Sequence, residues 1–150
     1  MSDDIFNFIY NKALDLLSRR EHSSKEIREK LLLRFDDKIT INSVITKLEE
    51  NNLINNTRFA EAYVSSRKRK GFGPKKIRFE LLSKGVSESV ANRIIDEEGG
   101  WKRAAKLVFI KKFKDGLNSD VKHSLKQKSF LKNRGFGFKE IESVFGDDML

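Results

Sequence analysis

The feature that most constrains the fold is a helix start that occurs twice, fifty residues apart. Ser23 and Glu26 form a capping box, in which the serine oxygen accepts an N–H of the first turn and the glutamate reaches back to the N–H of the cap. Gly73 occupies the position that corresponds to Ser23 in the second helix start. Pro74, the only proline, occupies the first helical position, where a missing N–H costs nothing. The sequence therefore predicts two equivalent helices, which begin at residues 24 and 74.

The apolar residues after these two starts keep the same period. Ile27 and Leu31 occupy the same positions as Ile77 and Leu81, and each pair lies one turn apart on one helical face. Agreement in both the cap and the apolar face indicates an internal repeat.

The helix ends correspond in the same way. Lys-Gly-Val at 84–86 recurs as Arg-Gly-Phe at 134–136. A glycine after a basic last turn is typical of the left-handed residue that ends a helix. We therefore divide the chain into three units, at 1–54, 55–100 and 101–150.

A helical interpretation fits almost every segment, because strand-like alternation is scarce and apolar residues recur at spacings of three and four. In the second unit we expect helices at about 57–69, 74–84 and 88–97. The middle helix of the third unit is expected to begin near Asn118 or Ser119 and to end at Asn133. The predicted fold is all-α, with three tandem three-helix repeats in an elongated, curved array.

Composition narrows the class of protein. Hydrophobic residues make up 38% of the 150 residues and charged residues 35%, which predicts a folded protein with a polar surface and no membrane span. There is no cysteine, so disulfides, thiolate metal sites and cysteine nucleophiles are excluded, and His22 and His123 are the only imidazoles. Each histidine is interpreted as a surface or capping residue. We expect a cytoplasmic protein without a cofactor.

Positive charge is confined to the later two thirds of the chain. The net charge is −1 in residues 1–54, +4 in residues 55–100 and +6 in residues 101–150. Such asymmetry favours a surface that faces a polyanion or an acidic protein. The alternative is a lysine-rich surface that only keeps the protein soluble.

The most basic segment is 67–78, in which seven of twelve residues are Lys or Arg and none is acidic. It is interpreted as a helix end, a Gly-x-Gly turn and a helix start whose N–H groups point outward beside Lys75 and Lys76. Cations there are unfavourable for an isolated helix, and a bound phosphate or carboxylate would relieve this. The alternative is a solvated turn.

Two further basic faces lie at 102–114 and 122–134, where cations at helical spacing repel one another. This favours an anionic partner. The candidate binding residues are Arg67, Lys68, Arg69, Lys70, Lys75, Lys76, Arg78, Lys102, Lys106, Lys122 and Lys126.

Motifs for catalysis are missing from the sequence. The Gly-x-Gly turns at 71–73 and 135–137 follow no strand and precede no Gly-Lys-Ser/Thr, so they are neither dinucleotide nor phosphate loops. Residues 134–138 copy the opening of the RNA-binding RNP1 motif, but Lys139 breaks the match and no strands carry it. We predict that the chain is not an enzyme.

Together these residues resemble the RecX family of bacterial recombination regulators over nearly the whole chain. The first unit carries Ala13-Leu14-x-Leu16-Leu17-x-Arg19-Arg20-Glu21-His22-Ser23, with Glu26-Ile27 and Lys30-Leu31. The second carries Phe59-Ala60-x-x-Tyr63-Val64-x-x-Arg67, then Lys70-Gly71-x-Gly73-Pro74 and Lys84-Gly85-Val86. The third carries Phe130-Leu131-x-x-Arg134-Gly135-Phe136. One departure is the segment 35–42, which we interpret as a loop longer than the equivalent joints.

The resemblance implies three tandem three-helix repeats and a regulator of the RecA recombinase, active in homologous recombination, DNA repair and the SOS response. Family members bind the RecA filament on single-stranded DNA, lie along its groove and typically inhibit strand exchange, ATP hydrolysis and co-protease activity, without catalysis of their own. The expected partners are the RecA filament and single- or double-stranded DNA, and the expected state is a monomer.

Two functions from different classes follow for the basic residues. In the first, they contact acidic RecA surfaces or filament DNA. In the second, the chain is a free-standing DNA-binding protein that uses phosphate contacts alone, and its affinity falls steeply with salt because counterions are released. A helical scaffold without nucleic acid is a third interpretation.

Overall fold

The computed structural model describes residues 2–146. Within that range the chain forms nine α-helices and no β-strand. The helices are α1 (Ser2–Arg19), α2 (Ser24–Leu32), α3 (Lys38–Glu50), α4 (Asn56–Arg69), α5 (Pro74–Ser83), α6 (Glu88–Glu98), α7 (Trp101–Lys112), α8 (Val121–Asn133) and α9 (Phe138–Phe145). The all-α prediction is confirmed.

The helices pack in consecutive groups of three, and each group surrounds its own apolar cluster. Ile27 and Leu31 of α2 are buried in the first cluster, and Ile77 and Leu81 of α5 are buried in the second. Leu131 of α8 has the corresponding place in the third. Because burying such a side chain contributes about 1.5–3 kcal/mol, the repeated apolar face is what gives each unit its core.

The predicted helix starts are confirmed. The Glu26 N–H donates to Ser23 Oγ at 3.1 Å, and the Ser23 N–H donates to Glu26 Oε1 at 3.1 Å. Gly73 is the N-cap of α5, with Pro74 at its first position. The bounds of the three units and the elongated shape remain predictions.

The loop expected at 35–42 is longer than the equivalent joints, as predicted, but its bounds are wrong. Helix α3 already begins at Lys38, and Asp37 caps it by accepting the Thr40 N–H at 3.0 Å. The connection is therefore 33–37, one residue longer than the connections 84–87 and 134–137. The β-branched residues that open α3 have low helix propensity, which hid the helix start.

Helix α8 begins later than expected, at Val121. The amide of buried Gln127 holds the preceding loop, because it donates to Gly116 O at 3.0 Å and accepts the Asn118 N–H at 3.3 Å. Asn118 is thus part of a loop whose backbone groups form hydrogen bonds with Gln127 of α8.

Neighbouring units meet at equivalent places. The start of α2 packs on the end of α5, where Lys25 Nζ donates to Ser83 O at 2.9 Å. The start of α5 packs on the end of α8, where the Lys75 N–H donates to Gly135 O at 2.9 Å. These two joints set the order of the units. Across residues 2–146, every helix is too short or too polar to cross a membrane.

Candidate partner-binding groove

A groove of about 710 Å³ lies between α4 of the second unit and α7 of the third. We call it the basic groove. Its cations are Lys68, Arg69, Lys70, Arg103, Lys111, Lys112 and Arg134. Its apolar lining is Ala104, Leu107, Val108 and Phe130, and Glu98 is its one carboxylate among the described residues. The groove therefore combines strong positive charge with exposed apolar surface.

Local sequence explains how the two helices supply these groups. The last turn of α4 carries Arg67, Lys68 and Arg69, where the helix dipole stabilises positive charge. On α7, Arg103, Leu107 and Lys111 follow one another at four-residue spacing, which places them on one helical face. Each helix thus presents cations to the same space.

Lys68 ties the second unit to the start of the third. Its Nζ donates to Gly99 O at 2.8 Å and to Glu98 Oε2 at 3.1 Å, and it lies 5.4 Å from the centroid of the Trp101 ring. The Trp101 indole N–H in turn donates to Ile95 O at 2.9 Å. Lys68 therefore stabilises the wall of the basic groove, and its charge is compensated by Glu98.

Arg67 faces away from the groove into the second unit. Its guanidinium donates to both carboxylate oxygens of Glu80, at 3.0 and 2.8 Å, and lies 3.8 Å from the centroid of the Phe72 ring. Burial acts to raise the pKa of Glu80, but hydrogen bonds from Arg67 and Tyr63 outweigh burial and leave that pKa lowered. Burial, together with the hydrogen bond to Glu80, raises the pKa of Tyr63 to about 12. Arg67 is thus part of an internal ion pair.

The start of α5 does not have the outward-facing N–H groups that the sequence analysis expected. The Gly73 N–H donates to Arg134 O at 2.7 Å, and the Lys75 N–H donates to Gly135 O. A Cβ on Gly73 would lie 2.5 Å from the backbone of Gly135 and Phe136. The expectation of outward-facing N–H groups is therefore wrong for Gly73 and Lys75, because this helix start is the joint between the second and third units.

The other candidates near this joint have separate surroundings. Lys75 is exposed, and Lys76 Nζ lies 5.2 Å from the centroid of the Phe72 ring. Arg78 braces α5 against α6, because it donates to Asn92 Oδ1 at 2.7 Å and to Glu88 Oε1 at 2.6 Å. None of the three cations lines the basic groove.

The brace made by Arg78 is repeated in the first unit. Arg28 donates to Asn42 Oδ1 at 3.2 Å, fifty residues before the pair formed by Arg78 and Asn92. This matched spacing is the signal in the sequence that would have identified Arg78 as a residue that stabilises the unit.

The candidates of the third unit lie outside the groove lining. Lys102, Lys122 and Lys126 are exposed, and Lys106 is half-buried. Of the predicted binding residues, the groove brings together Lys68, Arg69 and Lys70. It adds Arg103, Lys111, Lys112 and Arg134, which belong to the basic faces noted in the sequence but were not selected. Their spacing along α7 and α8 was the available signal.

His22 is buried, so its expected position at the surface is wrong. Its Nδ1 lies 3.0 Å from Arg20 O, and its Nε2 lies 2.9 Å from Lys30 Nζ. Burial lowers the pKa of His22, against the hydrogen bond to Arg20 O, and the charges of Arg20 and Lys30 lower it further. Residues 2–146 contain no group of three or more His, Cys, Asp or Glu side chains that could hold a metal ion.

These features define a class: a tandem helical-repeat protein with a basic, partly apolar groove between two repeats. A family model described as RecX, first three-helix domain, matches residues 10–48, and one described as RecX, second three-helix domain, matches residues 55–93. The chain belongs to the RecX family of regulatory proteins. The resemblance noted in the sequence is confirmed.

Relatives and solved structures agree with this assignment. A regulatory protein RecX of Halorhodospira halophila is 35% identical over 137 residues, covering 91% of this chain and 85% of that protein. One of Serratia proteamaculans is 35% identical over 164 residues, covering 94% and 98%. The crystal structure of RecX from Lactobacillus salivarius has the same fold, with a TM-score of 0.83, 24% identity and coverage of 100% of both chains. A crystal structure of regulatory protein RecX has a TM-score of 0.81 and 22% identity, covering 96% of this chain and 73% of that one.

Proposed function

We propose that this chain binds the RecA filament on single-stranded DNA and inhibits its recombinase, ATPase and co-protease activities, without catalysis of its own. The observation that carries the proposal is the basic groove, in which seven cations from two units surround one space. Membership of a family of regulatory proteins supports it. We place this action in the cytoplasm, where RecA filaments form.

The proposed mechanism is a bridge between adjacent RecA protomers. Cations of α4 and of α7 belong to different units, so a partner seated in the groove contacts two units of the regulator at once. Concentrated positive charge raises the rate of encounter with acidic or phosphate-bearing surfaces. A regulator that holds neighbouring protomers together locks or caps the polymer, and inhibition is then expected at low ratios of regulator to RecA.

A second candidate function is DNA binding without RecA. It is favoured by Lys102, Lys122 and Lys126, which are exposed outside the groove in the unit with the largest positive charge. Binding through phosphates alone loses affinity steeply as salt rises, whereas a protein interface keeps the part of its affinity that comes from apolar contacts.

The deciding experiment is a titration of single-strand-dependent ATP hydrolysis by the host's own RecA. Loss of hydrolysis at a small ratio of this protein to RecA is the expected result. If hydrolysis falls only when enough protein is present to cover the DNA, and added DNA restores it, then competition for DNA is the better account.

A pair of charge-reversal variants locates the interaction on α7. Arg103→Glu with Lys111→Glu changes two groove cations, and inhibition should be lost. Lys114→Glu with Lys139→Glu makes the same change of charge at two exposed positions outside the groove, and inhibition should remain. Equal loss in both double variants would assign the interaction to overall charge instead of the groove.

A further inference from the structure

We infer that the basic groove is the receptor for an acidic amphipathic helix of a protein partner, and that it does not hold DNA phosphates. The inference rests on the proposed function, since it states which component of the RecA filament enters the groove. Four properties of the groove lead to it.

The first property is exposed apolar surface in the middle of the groove. Leu107 is 58% exposed, and half-buried Val108 lies beside it on α7. A phosphodiester backbone gains nothing from such side chains. A protein segment would bury them, as amphipathic helices do when their apolar face enters a groove.

The second property is the lack of a free aromatic face. Phe130 is the one aromatic side chain in the groove lining within the described part of the chain. Its ring already packs edge-on against Phe113, with centroids 5.4 Å apart, and Lys112 and Arg134 lie 5.6 and 5.2 Å from its centroid. Single-stranded nucleic acid is bound by bases stacked on aromatic rings, and Phe130 is not available for stacking.

The third property is the state of the backbone N–H groups at the turn beside the groove. The Gly71 N–H donates to Lys68 O at 3.0 Å, and the N–H groups of Gly73 and Lys75 are used in the joint to the third unit. Phosphates in proteins are commonly held by free N–H groups at turns and helix starts. These three donors are already satisfied, so the turn at 71–75 does not form a phosphate cradle.

The fourth property is the order of groups along α7. Arg103, Leu107 and Lys111 follow one another at four-residue spacing, about 6 Å apart at 1.5 Å per residue. A helix that carries a carboxylate, an apolar side chain and a second carboxylate at the same spacing matches this row. The expected partner sequence therefore has Asp or Glu four residues before, and four residues after, a large apolar residue.

A photocrosslinking experiment tests the inference on the full chain. Because the chain has no cysteine, Leu107→Cys gives one attachment point for a benzophenone maleimide. Ile110→Cys is the matched control, since Ile110 is 63% exposed on the same helix and does not line the groove. Each labelled protein is bound to a RecA filament on oligo(dT), irradiated, and analysed by mass spectrometry.

The expected product from position 107 is a crosslink to an acidic helix of RecA, and position 110 should give much less. A crosslink to oligo(dT) as the main product from position 107 would overturn the inference in favour of phosphate binding. Equal yields from both positions, or a crosslink to a surface without carboxylates, would overturn it as well.

A binding variant separates the inference from the proposed function. Leu107→Glu should weaken filament binding about tenfold, a loss common for a central interface residue. Ile110→Glu should leave binding unchanged. If both variants bind as the unchanged chain does, the groove inference fails and the proposed function stands. If the unchanged chain does not bind the filament, the proposed function fails.

Discussion

The two joints between units lie at equivalent positions but use different chemistry. In the joint of the first and second units, Lys84 pairs with Glu26 at 3.4 Å, Arg58 pairs with Glu21, and Lys25 reaches Ser83 O. Long charged side chains make these contacts. Such contacts can lengthen without being lost, and exposed ion pairs are weakened by salt.

The joint of the second and third units is made mainly by the backbone. Its two N–H donors are those of Gly73 and Lys75, and the Phe72 ring has the guanidinium groups of Arg67 and Arg134 at 3.8 and 5.1 Å from its centroid. A Cβ on Gly73 would collide with the backbone of Gly135 and Phe136. A Cβ on Gly135 would collide with Lys76. The comparison indicates that the first joint depends more on side-chain contacts, whereas the second is fixed by close backbone approach and holds the basic groove in shape.

The largest effect is expected from Gly135→Ala in the second joint. Gly135 has φ of +101°, and a Cβ there would lie 2.7 Å from Lys76 N and 3.1 Å from Gly73 O. Left-handed strain and overpacking together should lower the free energy of unfolding by about 3 kcal/mol in urea denaturation.

Gly116→Ala is the matched control for strain. Gly116 has φ of +82° and nothing within 4 Å of its added Cβ, so we expect a loss of about 1 kcal/mol from strain alone. Equal losses for the two alanine variants would mean that the second joint is not fixed by close backbone approach.

The next effect concerns Glu80, which holds Arg67 over Phe72. Glu80→Gln should cost about 2 kcal/mol near neutral pH, because the carboxylate is largely buried and accepts charged hydrogen bonds. The lowered pKa of Glu80 gives the pH dependence: this contribution is present above its ordinary value of 4.5 and is lost as pH falls through the folded value. Urea denaturation at several pH values measures both the loss of free energy of unfolding and its dependence on pH.

The control for this substitution is Glu88→Gln. Glu88 pairs with Arg78 but its side chain is 69% exposed, so a change below about 0.5 kcal/mol is expected. If the unchanged chain and Glu80→Gln still differ in free energy of unfolding below the folded pKa of Glu80, the role given to the carboxylate is contradicted.

The contrast between the joints also explains what could be predicted from the sequence. Helix starts such as that at Ser23 depend on residues three positions apart, and core residues such as Leu31 and Leu81 follow a helical period. Both are local patterns. The pairing of Lys75 with Gly135 joins distant segments, and nothing near Lys75 in the sequence indicates it. The same holds for the groove, which needs α4 and α7 side by side.

The sequence does not show which single cations have a partner on another helix. Arg67 and Arg78 belong to a run of basic residues, yet their partners Glu80 and Glu88 lie on α5 and α6. A run of basic residues in the sequence shows the net charge of a segment. Which of those cations form ion pairs depends on the helices that pack against the segment. Only Lys68, Arg69 and Lys70 of that run reach the groove.

A smaller effect should come from the ion pair of the first joint. A double-mutant cycle with Glu26→Gln and Lys84→Met should give a coupling of about 0.5 kcal/mol, because Lys84 is partly exposed. Glutamine at position 26 can still form the capping box, so the cycle measures the interaction between Glu26 and Lys84 across the joint. The coupling should vanish near 1 M salt, where the Debye length is about 3 Å, while the loss from Gly135→Ala should not change with salt. A coupling that resists salt would make the two joints alike.

The last effect is confined to acid pH and concerns His22, whose position before α2 corresponds to that of Phe72 before α5. Because burial lowers its pKa below the ordinary 6.5, the folded chain binds this proton less well than the unfolded chain. Stability from neutral His22 is therefore complete above pH 6.5 and is lost as pH falls toward the folded pKa. His22→Phe and His22→Gln should both remove this slope from urea denaturation between pH 7 and 5, with a change of less than about 1 kcal/mol at pH 8. A slope that persists in both variants would assign the acid sensitivity to carboxylates such as Glu26, and would remove protonation of His22 as a difference between the two joints.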